Sequence, residues 1–453
     1  MSNRNYINDL LKSLDLFEKN NNKFLPVPYP GTDSCFRTGT DSYNNSSTFV
    51  RLVCTDKSQH ICPHCGVLDH HESKGRRTIR LTHIANSHHR MILEIEYRRY
   101  ICKHCNHYFK DDIPFKFYDT MMTYTAAQAC LVQLRENTAL AVVARMMGVS
   151  KSSIYRLFNN HISVAPRNYH LKSVISIDEF RATTDKGVYA FNIVDPLNGK
   201  VIDIVEDRKY SCLRNYFLRF PFKERQKVRI IIMDLSNAFR SIMHSLFPNA
   251  KIIADRFHYV KLFSECLRRC RLDTCSDLEN TSLSKSIKRN LHLFDKYKEN
   301  LDDEKVWYDR HLKKSFTSKS YIEHVFEQDG TDEFYEAYKI YQKLLKLIHE
   351  DHKDYKKELN DFLDTIFDTN NKYFISSAKN IRKSWFMPIL RSLKYKAIYR
   401  RNNTSYKTSF NNGYIESMNN KIKLVKRNAY GYRYFDNLRK RILLHLNCEY
   451  KFV

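Results

Sequence analysis

Val174-Ile-Ser-Ile-Asp178-Glu179-Phe180 sets a short, mostly apolar run directly ahead of two carboxylates. Such a run reads as a buried strand. A buried strand that ends on an acid delivers that acid to a sheet edge, where a ligand or metal ion can reach it. Val228-Arg-Ile-Ile-Ile-Met-Asp234 has the same build, 56 residues later (234 − 178). Around these two stretches the pattern predicts strands at 174–178, 187–194 and 200–206, then a helix at 212–220. A strand at 228–233, a helix at 237–246 and a strand at 250–254 follow, and Asp195-Pro-Leu-Asn-Gly199 supplies a turn. Three meandering strands, a helix, then strand–helix–strand is the order of a ribonuclease H-like mixed sheet. Residues 172–262 are therefore expected to form the first part of such a catalytic core.

A third acid, Glu416, lies in Asn411-Asn-Gly-Tyr-Ile-Glu416-Ser-Met-Asn-Asn420. On a helix, Glu416, Asn420, Lys423 and Arg427 share one stripe, while Ile415, Met418, Ile422 and Val425 share the opposite, core-facing one. Residues 396–453 are expected to complete the core with this helix. Residues 263–395, charged and amphipathic, are expected to be an all-helical insertion. Its lysines and tyrosines either line nucleic acid or form a solvated face.

Asp178, Asp234 and Glu416 are expected to meet and to hold Mg²⁺ or Mn²⁺, because hard divalent cations take oxygen ligands. Two ions roughly 3.5–4 Å apart activate an attacking oxygen and stabilise a leaving one. A single acid after a strand is more often a turn or cap residue, and Glu179 and Asp255 rival Asp178 and Asp234. Asp255-Arg-Phe-His258 also follows a strand, and its histidine is suited to assist beside a scissile phosphate. Glu179, Asp255 and His258 are thus auxiliary candidates.

Two modules precede the core. Cys62-Pro-His-Cys65 and Cys102-Lys-His-Cys105, separated by strand-like Thr78–Leu81 and Met91–Tyr97, make two knuckles able to close one tetrahedral zinc. Residues 51–112 read as a zinc ribbon, with zinc supplying folding energy and Arg76, Arg77, Arg80, Arg98 and Arg99 able to touch a DNA backbone. Some of the neighbouring histidines could substitute as ligands, but they read first as exposed polar or phosphate-contacting side chains. Residues 118–166 read as a helix-turn-helix: Ala144 packs closely, Gly148 turns, and Ser150 caps a recognition helix. Ser152, Ser153, Tyr155 and Arg156 would face a DNA groove, and Lys423 and Arg427 would add phosphate contacts. Residues 1–50 read as an amphipathic helix over 1–24 (Ile7, Leu10, Leu11, Leu14, Phe17) and a Pro-rich linker over 25–48.

Bulk properties fit this outline. The chain of 453 residues is long enough for several domains. Lys+Arg number 76 against 50 Asp+Glu, and the resulting +26 calls for a polyanion, nucleic acid before membrane. No apolar run suits a spanning helix, no signal peptide is apparent, and the 12 cysteines are not spaced as a disulfide framework. The expectation is a cytoplasmic, nucleoid-associated protein that binds double-stranded DNA and no membrane.

From about residue 55 to 450 the chain resembles the DDE transposases of the ISL-three family of bacterial insertion sequences. The resemblance rests on the paired Cys-x-x-Cys knuckles, Gly148-Val-Ser150, Ile177-Asp-Glu-Phe180, Met233-Asp-Leu-Ser236 and Phe247-Pro-Asn-Ala250. It continues through Asp255-Arg-Phe-His258, Asn412-Gly-Tyr-Ile-Glu416, Asn419-Asn-Lys-Ile422, Lys426-Arg-Asn-Ala-Tyr-Gly-Tyr432 and Phe435. It implies a ribonuclease H-like core, Mg²⁺ dependence, and cutting and joining of DNA at terminal inverted repeats. The family's acids fall on Asp178, Asp234 and Glu416. In the expected reaction water cuts the element end, and the freed 3′-hydroxyl attacks a target strand. Pairing two ends implies a homodimer or larger assembly. The rival readings are a Mg²⁺-dependent nuclease or resolvase without strand transfer, and a zinc/helix-turn-helix transcriptional regulator with a non-catalytic core.

Overall fold

The computed structural model describes residues 23–41, 46–56, 60–86, 89–164, 170–401, 404–410, 413–447 and 450–452. The apolar positions of the expected N-terminal helix, Ile7 to Phe17, lie outside them. The chain divides into two compact units: Met1–Pro166 together with Ile422–Val453, and Arg167–Lys421.

In the first unit, β1 (Phe24–Pro26), β2 (Phe36–Thr40), β3 (Ser46–Cys54), β4 (His71–Asn86), β5 (His89–Cys102) and β6 (Tyr108–Lys110) form one sheet. Residues 25–48, expected as a linker, therefore contribute two strands, both paired antiparallel to β3. Their brevity and proline content hide them in the sequence, and it is pairing to β3 that orders them. β3 runs parallel to β5, and β4 and β5 form a long hairpin. Phe24, Val50, Leu52, Leu81, Leu93, Ile95 and Phe115 are buried together on this sheet. The knuckles thus stand on an apolar core of their own, which limits zinc's share of the folding energy.

Three helices follow: α1 (Tyr124–Arg135), α2 (Leu140–Met147) and α3 (Lys151–Asn160), then the short β7 (Ile162–Val164). Thr123 caps α1 through the Ala126 amide, and Ser150 caps α3 through the Ser153 amide. Gly148 ends α2 at φ +64, a left-handed position that favours glycine. A Cβ there would sit 2.6 Å from the Arg90 guanidinium, which reaches to the Arg145 carbonyl and Asp41.

The second unit is built on β8 (Val174–Thr184), β9 (Gly187–Asp195), β10 (Lys200–Val205), β11 (Ile230–Met233) and β12 (Lys251–Ala254), in the order β10-β9-β8-β11-β12. β8 is antiparallel to β9 and parallel to β11, and β11 is parallel to β12. Both faces are covered, as near-continuous apolar runs require. Ile175, Ile177, Ile231, Met233 and Ile252 bury one way, with Leu213 and Phe217 of α4 (Tyr210–Leu218) and Ile242 and Met243 of α5 (Asn237–Leu246). Val174, Ile232 and Ile253, the alternate positions, bury with Phe410.

After β12 the chain is mostly helical: α6 (Arg256–Asp277), α7 (Ser282–Arg289), the hairpin β13 (Trp307–Asp309) and β14 (Lys314–Phe316), α8 (Ser318–Phe326), α9 (Asp332–His349) and α10 (Tyr355–Asp368). A π-helical turn, Ile381–Trp385, leads into α11 (Phe386–Lys394), and the hairpin β15 (Lys396–Arg401) and β16 (Thr404–Ser409) follows. Among the described residues these helices bury into the core of the sheet: Phe334, Leu344, Phe362, Ile366 and Trp385 join the same buried cluster as Ile175 and Ile231.

The chain passes back to the first unit within α12 (Gly413–Asn428). Residues 396–453, expected to complete the core, thus divide, and only those up to Lys421 group with the β8–β12 sheet. α13 (Phe435–Asn447) packs on α1, and β17 (Tyr450–Phe452) pairs with β7. Lys440, Arg441 and His445 of α13 bond the carbonyls of Asn159, Thr138 and Arg135. The Arg135 and Asn159 carbonyls are among those that helix ends leave unpaired, and Thr138 lies in the loop between α1 and α2. No helix among the described residues is long and apolar enough to cross a membrane.

Candidate functional site

Strand register levels the acids of the second unit. Ile232 pairs with Ser176, so Asp234 and Asp178 each lie two residues further along parallel neighbours. Met233 pairs with Ala254, so Asp255 lies level with Asp234. β8 does not end at Asp178, as the sequence suggested, but continues to Thr184 paired with β9. Asp178 is reachable because its other neighbour, β11, stops at Met233. Asp178, Glu179, Arg208, Lys209 and Asp234 line a cleft of about 350 Å³.

Crowding shows in the electrostatics. Burial, and then the negative charge of Asp234, push the Asp178 carboxyl up to about 7, although the Glu179 amide donates to it at 2.7 Å. His258 Nε2 lies 2.9 Å from Asp234 Oδ1 and 3.7 Å from Asp255 Oδ2. Burial lowers the His258 pKa, but the bond to Asp234 and the surrounding carboxylates outweigh it and raise it overall. Ligand atoms of Asp234, Asp255 and His258 all lie within 4.8 Å of one another. Asp178, Asp234 and Glu416 do not form such a cluster. Carboxylates facing one another across a cleft repel, and a hard divalent cation is a species that relieves them, so these oxygen donors suit such an ion.

Glu416 lies exposed in the first turn of α12. The helix has the expected two faces: Ile415, Met418, Ile422 and Val425 are buried, and Glu416, Asn420, Lys423 and Arg427 are exposed. Asn419, one turn after Glu416, is buried, donates to Asp178 Oδ2 at 2.6 Å and accepts from Asn192 at 3.2 Å. Side chains three apart on a helix are neighbours, so this bond brings the turn that carries Glu416 to Asp178. Sequence reading gave Asn419 no role, although its spacing from Glu416 pointed to one. Glu179 is held by Arg208, whose Nη1 lies 2.7 Å from both carboxylate oxygens and whose guanidinium stacks on Tyr189. Trp385 of the π-helical turn donates to Asn237 at 2.9 Å, fixing the residue three places after Asp234.

The cysteine cluster is compact. Cys62 and Cys105 Sγ are 3.6 Å apart, Cys65 and Cys102 Sγ 3.7 Å, and all four lie within 4.8 Å of one another. Sulfurs on a tetrahedral zinc at ~2.3 Å stand about 3.8 Å apart, so the set fits that ion and supports structural zinc. The histidines nearby are outside this set: His64 stacks on His107, and His60 and His71 pack against Tyr100. Each knuckle closes through an amide, Gly66 N to Cys62 O and Asn106 N to Cys102 O, with Gly66 and Asn106 both at positive φ. Burial raises the Cys62 thiol, yet amide donors of the knuckle outweigh it and hold the thiol down to about 6. Three of the five arginines considered for DNA are paired within the sheet: Arg76 with Glu96, Arg80 with Glu94 and Arg98 with Asp111.

On α3, Ser152 and Arg156 are exposed. Ser153 is half-buried and bonded to Ser150, and Tyr155 accepts from Asn437 at 3.3 Å.

A sequence-family model described as transposase, of the ISL3 type, matches residues 175–442. A second, described as the zinc-finger of transposase IS204/IS1001/IS1096/IS1165, matches residues 58–105. The chain is 25% identical over 249 residues to the transposase for insertion sequence element IS1001 of Bordetella parapertussis. That alignment covers 53% of this chain and 60% of the relative's length.

Proposed function

Because the chain belongs to the ISL3 family of transposases, we propose that it binds the terminal inverted repeats of an insertion sequence and cuts and joins DNA there. The observation that carries this reading is the register that levels Asp178 with Asp234, together with the Asn419 bond that brings the turn bearing Glu416 to Asp178. The sheet order β10-β9-β8-β11-β12, with three antiparallel strands and then two parallel ones, supports a ribonuclease H-like core, into which the helices after β12 are inserted.

Asp178, Asp234 and Glu416 are the proposed Mg²⁺ ligands, with Mn²⁺ as substitute. When bound, the ions would activate the attacking oxygen and neutralise charge on the leaving one. The chain's own groups do the rest. Asn419 orients the Asp178 carboxylate by holding Oδ2, while Oδ1, which accepts from the Glu179 amide, keeps a second lone pair for metal. His258, protonated more readily than a free histidine, holds Asp234 and offers a proton beside the phosphate. Asp255, 3.7 Å from His258 Nε2, braces the ring as a second carboxylate. Arg208 draws Glu179 aside, which assigns Glu179 to orienting the cleft rather than to metal. In the first step water attacks the phosphodiester, breaking its P–O bond and freeing a 3′-hydroxyl. In the second that hydroxyl attacks a target phosphodiester, and the displaced oxygen leaves with a proton.

DNA recognition is proposed for the α2–turn–α3 segment, a helix-turn-helix by its Gly148 turn and Ser150 cap, with Ser152 and Arg156 toward the duplex. Ser153 serves the cap, and Lys423 and Arg427 extend the exposed basic stripe beyond Glu416. A homodimer or larger assembly on paired ends follows from the reaction's need for two ends.

The test is a joining assay on terminal-repeat DNA with Mg²⁺, run with Asp178→Ala, Asp234→Ala and Glu416→Ala. Each change should abolish joining while leaving DNA retention on gels. Joining that survives all three sinks the triad. Cleavage without joining in the parent chain would mean a nuclease, and binding without cleavage a regulator.

A further inference from the structure

The first unit contains a cavity that the catalytic reading does not use. It opens among α2, α3, α13 and the segment between α12 and α13, and measures about 630 Å³, the size of a small-molecule site. Its charged lining residues are Arg145, Lys151, Arg433 and Arg441, and no carboxylate lines it. Arg441 is 3% exposed. Its Nη2 donates to the Thr138 carbonyl, while Nε and Nη1 are buried without a hydrogen-bond partner. A buried guanidinium with unanswered donors is costly unless an anion or acceptor completes it.

The wall also carries five aromatic rings, beside aliphatic residues such as Leu140 and Val142 and the amides Asn137, Asn428 and Asn437. Tyr155 and Phe158 come from α3, and Tyr430, Tyr432 and Tyr434 from the connecting segment. Tyr155, Tyr430 and Tyr434 are 43%, 100% and 48% exposed, a concentration of bare rings that calls for a partner. Tyr430 is displayed by the backbone itself. It takes φ +57 and is followed by Gly431 at φ +97, where amide bonds back to Arg427 and Lys426 close α12. A bulky residue in the left-handed region is strained, and such strain persists where surroundings enforce it.

Aromatic faces with cations and no acids are the chemistry of an unpaired nucleotide: rings stack on the base, and cations take the flanking phosphates. We propose that this pocket receives one unstacked nucleotide of the bound DNA, its base among Tyr155, Tyr430 and Tyr434 and its phosphates against Arg145, Lys151 and Arg433. This rests on the DNA-binding reading above, and assigns the segment 428–434 a role as a nucleotide clamp beside the recognition helix.

The experiment uses the full zinc-loaded chain and three short duplexes of one sequence: fully paired, with one unpaired adenine, and with an unpaired abasic residue at the same place. Affinities are read by fluorescence anisotropy at one fixed salt concentration, since salt alone moves them. The unpaired adenine should tighten binding about 10-fold over the paired duplex, the scale of one stacked base, and the abasic duplex should not. Tyr430→Ala combined with Tyr434→Ala should bring the adenine-to-paired ratio close to one. Tyr430 is fully solvent-exposed, so its replacement disturbs no core. Equal affinity for paired and adenine-bearing duplexes overturns the pocket assignment while leaving DNA binding intact. Equal gain from the abasic residue also overturns it, because the site would then sense backbone flexibility. A ratio unchanged in the double variant overturns it too. A chain that retains none of the duplexes fails both this assignment and the DNA-binding reading.

Discussion

At the residue scale, Asn419 and His83 show how one buried polar group can govern function or stability. Asn419 has one partner on each side, Asp178 and Asn192, and both bonds are lost in Asn419→Ala. Groups that orient metal ligands typically weaken affinity or activity by about 10- to 100-fold when removed. A Mg²⁺ titration of joining should therefore move to higher concentration, with DNA retention intact. An unmoved titration would show that Asn419 is only a packing residue. His83 in β4 is fully buried beside Thr123 at 2.8 Å, with Nε2 unpartnered, and burial pushes its pKa down to about 4. The unfolded chain binds this proton near pH 6.5 and the folded chain does not. Stability from this group is thus complete above about 6.5 and falls as pH drops toward 4, by about 2 kcal/mol at pH 5. His83→Gln should flatten that part of the melting temperature against pH. Thiolate protonation at the zinc site contributes equally to both chains, so identical slopes would refute the assignment.

At the element scale, the α2–α3 turn and the α12 helix behave differently. The turn depends on Gly148, whose φ of +64 and contact with Arg90 leave no room for a side chain. Gly148→Ala should destabilise the first unit by roughly 2 kcal/mol, from left-handed strain and displacement of Arg90. Denaturant unfolding would measure it, and a loss within error would mean that Arg90 yields freely. This turn was legible because Gly, a small helix-facing alanine and a serine cap are local signals. α12 was legible too, since its buried and exposed stripes follow from helical period alone. β1 and β2 were not. Strands of three and five residues carry too little alternation, and only the partner strand β3 orders them.

At the scale of the whole molecule, the C-terminal segment is the main departure from the expected order. Residues from Ile422 on return to the first unit, where α13 bonds carbonyls near the ends of α1 and α3 and β17 pairs with β7. Removing 435–453 should therefore lower the stability of α1–α3 by ~3 kcal/mol or more, since hydrogen bonds from charged groups are individually worth about 1.5–3 kcal/mol. Hydrogen exchange on the full and shortened chains should show α3 losing protection while β8 and β11 keep theirs. Equal protection of α3 in both would show that α13 is dispensable. The helices after β12 teach the complementary lesson: they share one core with the sheet, so they are packed as part of it.

The sequence by itself determined what rests on local chemistry. Two Cys-x-x-Cys knuckles, the strands before Asp178 and Asp234, and the amphipathic helix of Glu416 all follow from spacing and period, which survive without knowledge of the fold. Tertiary structure decided what depends on register and partner. Asp178 stands in the middle of a long strand, and it becomes accessible only because β11 is short. Asp255 becomes level with Asp234 only through the pairing of β11 with β12, and Asn419 meets Asp178 from 241 residues away. No local signal encodes such meetings, because pairing energy between distant segments is set by the surfaces the folded chain brings together.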